Sequence, residues 1–168
     1  MNDAAREVLK ALDGMGIAYR LSEHAPTATM EACAEIDWAL HAMTAKNISL
    51  TTKNGRRFYL CLTRPEARFR TADISKQAGS SRLSFAPEDA LYDHLRCRPG
   101  AASPLGLLFD PDHTVTLLVD SALRDAPTLS FHPCDNTLTL AMTNEDFFTT
   151  FLTAVGVEPV DVEIHDFL

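Results

Sequence analysis

Lys46 and Asn47 stand at the head of the run Lys46-Asn47-Ile48-Ser49-Leu50. Lysine supplies a compact cation with three donors, and the asparagine amide adds two donors and an acceptor. At the mouth of a strand the pair suits gripping a small polar ligand. It can equally be an exposed strand start that only meets water, and the run alone leaves both readings open. A second cluster, Gly100-Ala101-Ala102-Ser103-Pro104-Leu105-Gly106, combines glycine, which permits close backbone approach, with a rigid proline. Gly100 and Pro104 can also serve only to shape a turn. The third is Phe131-His132-Pro133-Cys134-Asp135-Asn136-Thr137, where the histidine can face a ligand or satisfy a backbone group at a strand end.

Other chemistries find no footing. The chain has no Gly-x-Gly-x-x-Gly, no phosphate-loop motif, no Gly-x-Ser-x-Gly elbow and no His-Glu-x-x-His. His24, His41, His94, His113, His132 and His165 lack metal-ligand spacing. Cys33, Cys61, Cys97 and Cys134 form no Cys-x-x-Cys pair, so buried reduced thiols are expected. A His–Cys dyad can be drawn on paper, but sequence does not place its members within bonding distance.

At 168 residues, 46% hydrophobic and 23% charged, the chain reads as one soluble domain spanning 1–168. No apolar run approaches the roughly 18 residues of a membrane span. The start, Met1-Asn2-Asp3-Ala4-Ala5-Arg6-Glu7, is no secretory leader, and a cytoplasmic location is expected. The net charge of −8 conceals a segregation. Residues 41–82 hold nine basic side chains against Glu66 and Asp73, a net of +7, whereas 83–168 carry −11. The basic window is either a phosphate-facing patch or a solvated face paired with the acidic remainder.

The elements that must position these clusters alternate in type. Asp3 is expected to cap a helix over 4–15, followed by a strand over 17–21 and, after Pro26, a helix from Met30 toward Leu40. Strands over 46–51 and 57–63 flank a two-residue Asn54-Gly55 turn. A short helix opens at Thr71, a strand covers 82–85, and Pro87 starts a helix reaching Leu95. Strands are then predicted over 105–109, 114–120, 129–132 and 137–142, before a final helix carrying Phe147, Phe148, Phe151 and Leu152 and a closing strand over 160–164. The class is α+β.

Taken in order, the clusters resemble the YbaK/ProX family of aminoacyl-tRNA deacylases, the prolyl-tRNA synthetase-associated editing domain. The resemblance runs over nearly the whole chain: His24-x-Pro26 with Thr29-Met30-Glu31, the Lys46-Asn47 strand, Arg82-Leu83-Ser84-Phe85, Gly100-x-x-x-Pro104 with Ser103 and Gly106, Phe131-His132-Pro133 with Asn136 and Thr139, and Gly156-Val157-Glu158-Pro159. It implies a mixed, barrel-like sheet of about seven strands flanked by helices, no metal and no organic cofactor. It also implies hydrolysis of the ester of a mischarged tRNA, Ala-tRNA(Pro) first. The alternatives are another small amino acid (serine, threonine or cysteine) or a non-catalytic relative that binds tRNA or a partner.

By the same resemblance, Lys46, Gly100, Ser103 and Pro104 serve catalysis, and Asn47, His132, Gly106 and Met30 bind substrate. Lys53, Arg56 and Arg57 meet tRNA. The implied partner is the acceptor end of aminoacyl-tRNA, with prolyl-tRNA synthetase or an elongation factor beside it. The chain itself is then expected to be a monomer or weak homodimer, away from membranes. Ser49 stands where the family strand carries phenylalanine, which predicts altered packing behind Lys46.

Overall fold

The computed structural model describes residues 1–26, 42–68, 70–87, 89–98 and 100–165. The helix expected from Met30 to Leu40, and Met30 itself, lie outside them. Asn2, not Asp3, caps the first helix α1 (Asp3–Gly14), with its side chain accepting from the Ala5 amide at 2.8 Å. Asp3 instead pairs with Arg6 on the exposed face. The next strand, β1 (Arg20–Glu23), starts three residues later than expected.

β2 (Met43–Thr44), β3 (Lys46–Thr52) and β4 (Phe58–Thr63) follow, with only Ala45 between the first two. The β3–β4 connection is longer than a two-residue turn. Only Gly55 has a positive φ, and Asn54 braces the loop by accepting from the Thr52 hydroxyl and the Arg56 amide. Next come α2 (Thr71–Gln77), β5 (Leu83–Phe85) and α3 (Tyr92–Leu95), a single turn where a longer helix from Pro87 was expected.

Pro104–Phe109 is a 3₁₀ helix, which overturns the expectation of a strand there. Ser103 accepts from the Leu105 amide at its start, and Pro104 occupies the first turn, where a missing N–H costs nothing. The remaining elements among the described residues are β6 (Val115–Asp120), a second 3₁₀ turn at Ser121–Asp125, β7 (Thr128–Phe131), β8 (Leu138–Thr143), a π-helical turn at Asp146–Phe151 running into α4 (Leu152–Val155), and β9 (Val160–Val162).

Among the described residues nine strands form two mixed sheets rather than one barrel-like sheet: β1-β8-β7-β2 and β5-β3-β4-β6-β9. The main core includes Leu129, Phe131, Leu140 and Met142 of the first sheet, Leu60, Leu62, Leu117 and Val119 of the second, and Val8 and Leu12 of α1. A smaller core covers the opposite face of the five-stranded sheet, where Ile48, Leu50, Tyr59, Cys61 and Leu118 meet Ile74 of α2. In the last helix, Phe147 lies 4.7 Å from the Phe131 ring and 6.0 Å from Phe151, an i,i+4 stack that fills the main core. Cys61, Cys97 and Cys134 are buried and free, as expected of structural thiols.

Gly106 is the tightest joint of the 3₁₀ segment. A Cβ there would stand 2.8 Å from Leu95 Cβ and 3.0 Å from Cys97 Sγ, and would press on the Leu95 carbonyl oxygen. Backbone yields less readily than a flexible side chain. Gly106→Ala is therefore expected to lose about 1–3 kcal/mol of stability through overpacking, measured by urea denaturation against wild type.

Candidate active site

Two chain segments are brought to one end of the molecule by a short parallel pairing. β2 pairs with β7 so that Met43 faces Leu129 and Thr44 faces Ser130, and the two hydroxyls meet at 2.7 Å. Beyond that last pair β7 runs on to Phe131 in the four-stranded sheet while the other chain leaves it. Lys46 and His132 each stand two residues past the paired Thr44 and Ser130.

At Ala45 the chain passes from the four-stranded sheet into β3 of the five-stranded one. Successive strand residues point to opposite faces. Lys46 therefore shares a face with Ile48 and Leu50 of the smaller core, and Asn47 shares the inter-sheet face with Ser49, so the two do not sit side by side. Asn47 Nδ2 donates to the Ala45 carbonyl at 3.1 Å, which fixes the amide orientation. Its Oδ1 is buried and meets no donor among the described residues. An unsatisfied buried acceptor is costly and rare, and such a group calls for an external donor. Ser49 lies two residues along on Asn47's face, not on the side behind Lys46.

His132 is held by its neighbours. Its Nδ1 lies 2.7 Å from the Leu138 carbonyl, an acceptor only, so Nδ1 carries the proton and Nε2 is the basic nitrogen of the neutral ring. His24, at the end of β1, follows the same logic. Its Nδ1 donates to the Ala25 carbonyl and its Nε2 accepts from the Thr139 hydroxyl at 2.8 Å. The two rings stand 6.0 Å apart, with Thr139 Oγ1 3.5 Å from His132 Nδ1. Burial pushes the His132 pKa below its ordinary 6.5. The neighbouring His24 works in the same direction, against the opposing pull of the Leu138 carbonyl and Asp135.

Asp135 braces the same loop. Burial alone would raise its pKa, but the Thr137 hydroxyl and amide, the Asn2 amide and the terminal ammonium outweigh it and hold the carboxyl below its ordinary value. Between them Cys134 adopts a left-handed conformation at φ 61°, with its carbonyl accepting from Asn2 Nδ2. The resemblance quoted His24, His132 and Thr139, but not their contact, because His24 lies more than a hundred residues from the other two.

The second cluster is tied to the third through sulfur. Cys97 Sγ lies 3.2 Å from Cys134 Sγ, and both thiols approach the Leu95 carbonyl. Cys97 also approaches the Ser103 carbonyl at 3.8 Å. Gly100 is exposed with φ +82°, while Ser103, Pro104 and Gly106 are buried. The Ala101, Leu105 and Gly106 amides donate within the segment, and Pro104 has none. The amides of Gly100, Ala102 and Ser103 meet no acceptor among the described residues. Lys53, Arg56 and Arg57 are exposed at the β3–β4 tip. Arg64 is not part of that patch: its guanidinium and amide bind Asp120, locking β4 to β6.

The structure thus sets a fixed imidazole, a lysine and, among the described residues, an amide oxygen without a donor and three loop amides without an acceptor on a two-sheet α+β fold. The aminoacyl-tRNA editing domain matches residues 24–150, and the chain belongs to that family of deacylases, which act on mischarged tRNA. It is 34% identical over 144 residues to the prolyl-tRNA editing protein ProX of Acetoanaerobium sticklandii, covering 86% of this chain and 88% of that one. It is 30% identical over 158 residues to the mouse prolyl-tRNA synthetase associated domain-containing protein 1, covering 92% of each. A crystal structure of a candidate trans-editing enzyme for prolyl-tRNA synthetase shares the fold at a TM-score of 0.71 and 17% identity, over 98% of this chain and 99% of that one.

The lowered His132 value has a measurable consequence. A histidine whose folded pKa lies below its unfolded one binds fewer protons when folded. Stability therefore falls as pH drops below about 6.5 and stops falling once the folded value is passed. His132→Asn keeps a donor near Nδ1 without the titration. Chemical denaturation between pH 7 and 5 is expected to show a smaller loss of stability for His132→Asn than for wild type.

Proposed function

We propose that this deacylase acts in trans, as a free-standing domain spanning 1–168, on tRNA(Pro) mischarged with alanine. The observation that carries the reading is the buried, donorless Oδ1 of Asn47 at the strand mouth, on the face away from Lys46. An aminoacyl ester carries an α-ammonium, a charged donor that every candidate substrate shares, and a charge-assisted bond to Oδ1 would satisfy both groups. His132 and Asn47 then wall the amino-acid pocket, and Lys46 places its charge near the reacting carbonyl or the terminal phosphate.

An aminoacyl ester is already activated, so positioning water and stabilising the oxyanion suffice. Water adds to the carbonyl carbon, and the developing oxyanion is met by amides of the Gly100–Gly106 loop, for which those of Gly100, Ala102 and Ser103 are available. The intermediate collapses by breaking the bond to the ribose oxygen, which takes up a proton. The substrate's adjacent ribose hydroxyl orients the water. Ser103 and Pro104 contribute by shaping that loop, and Gly106 by its close seat on Leu95. In this reading the protein works in the cytoplasm as a monomer or weak dimer, beside prolyl-tRNA synthetase or an elongation factor. Among the described residues no helix is long and apolar enough to cross a membrane.

Ser49 favours a second reading on specificity. Its place on the Asn47 face enlarges the pocket, and an apolar pocket rejects an added hydroxyl by only about 10². Serine, threonine or cysteine esters then become substrates beside alanine.

A deacylation time course over a panel of mischarged tRNAs tests both readings: fast release of alanine or serine with proline spared is expected, and no release from any member overturns the assignment. Lys46→Ala is expected to lower the rate by on the order of 10²–10³ while changing stability by less than about 0.5 kcal/mol. Retained activity in the folded variant would remove Lys46 from the chemistry. Affinity for tRNA is expected to fall linearly with salt on a log–log plot, with a shallower slope in Arg56→Ala/Arg57→Ala. A slope unchanged by the double substitution would make the tip a solvated face.

A further inference from the structure

Phe85 is 67% exposed, the most exposed of the large hydrophobic side chains among the described residues. It closes β5, the edge strand of the five-stranded sheet, and faces Leu50 across the antiparallel ladder, while Leu83 faces Thr52. Directly opposed residues share a face, so Phe85 lies on the side of Lys46, Ile48 and Leu50. Leu83, two residues earlier on that face, is covered by the smaller core with Ile74 of α2, whereas Phe85 lies beyond its reach. The sheet holds this ring outward on a hydrogen-bonded edge.

Its neighbours indicate what covers it. The register that sets Leu83 against Thr52 brings Arg82 level with Lys53, the first residue of the basic β3–β4 tip. Arg82, Lys53, Arg56 and Arg57 are exposed, and among the described residues none of the four meets a carboxylate. Along β3, Lys46 and Leu50 are four residues apart, about 13 Å. In order along the strand direction come a lysine, an aromatic ring about 13 Å further on, and then, at the hairpin end and on the other side of the alternation, Arg82 and Lys53 with Arg56 and Arg57 beyond them. A cationic track interrupted by an aromatic platform is how proteins follow a single-stranded nucleic-acid backbone and stack its bases.

We propose that Phe85 is a base-stacking platform for the single-stranded 3′ end of the tRNA, with Arg82 and the β3–β4 tip holding the phosphates that follow. The RNA then runs from the strand mouth along the β5 edge of the sheet, over Phe85, to the basic tip. This rests on the deacylase reading above and assigns its site a direction for the nucleic acid.

The test compares two substrates and three variants. Phe85→Ala is expected to raise KM for alanyl-tRNA on the order of tenfold with kcat unchanged, and to leave cleavage of alanyl-adenosine, which has no preceding nucleotides, at the wild-type rate. Phe85→Trp keeps a stacking face and is expected to behave as wild type, whereas Phe85→Leu, apolar without a π face, behaves as Phe85→Ala. An unchanged KM, an equal loss on both substrates, or rescue by leucine as complete as by tryptophan overturns the proposal. Should the wild-type protein cleave neither substrate, the deacylase reading fails on its own. Fluorescence anisotropy with an uncharged acceptor-stem hairpin RNA then still decides the platform: tighter binding by wild type and Phe85→Trp than by Phe85→Ala supports it, and equal binding overturns it.

Discussion

The arrangement depends on a two-residue parallel pairing. β2 contributes only Met43 and Thr44, yet this ladder with β7 ties together the two segments that lead to Lys46 and His132. The Thr44–Ser130 hydroxyl pair, both residues buried, seals the bridge at 2.7 Å. A slip of one residue would exchange the faces of all that follows on the slipped strand. The second joint, where Cys97 and Cys134 converge on the Leu95 carbonyl, docks the 3₁₀ segment against the His132 loop. Gly106 makes that docking possible by leaving room where any Cβ would intrude. The site thus sits where two sheets exchange a chain, and its parts are fixed by backbone elements more than by one another.

Charge is used in two distinct ways. Arg64 belongs by sequence to the basic window, but its pairing with the buried Asp120 makes it a structural tie between parallel strands. Burial together with Asp120 also pushes the Cys61 thiol up to about 12, so this sulfur stays protonated and inert inside the smaller core. The cations of the β3–β4 tip have no such partners among the described residues and remain available to an external anion. Position in the register, not residue type, separates the two uses.

Local pattern made much of the fold legible. The alternation Ile48, Leu50 against Phe58, Leu60, Leu62 located the central hairpin, and β6, β7 and β8 lie within a residue or so of their expected bounds. Leu105, Leu107 and Phe109 also alternate, but Leu108 between them packs on the same core, so a short 3₁₀ turn apolar on every side carried no period of its own. The Ser103-Pro104 start was the signal that should have decided it. The clusters themselves were visible as residue types, and the ordered resemblance to an editing family named their use. What stayed hidden was non-local: the separation of Lys46 and Asn47 onto two faces, the orphaned Oδ1, and the His24–Thr139 contact. Each depends on which strands become neighbours, and no short window of residues contains that.

The segregation of charge along the chain also bears on how a polyanion first arrives. Residues 83–168 carry a net −11, and the excess of cations is confined to 41–82, with several exposed at one hairpin end of one sheet. Long-range fields act before any contact is made, raising productive encounters and repelling wrong ones. The exposed cations gathered at the hairpin end then draw that end toward an approaching polyanion before the surfaces touch.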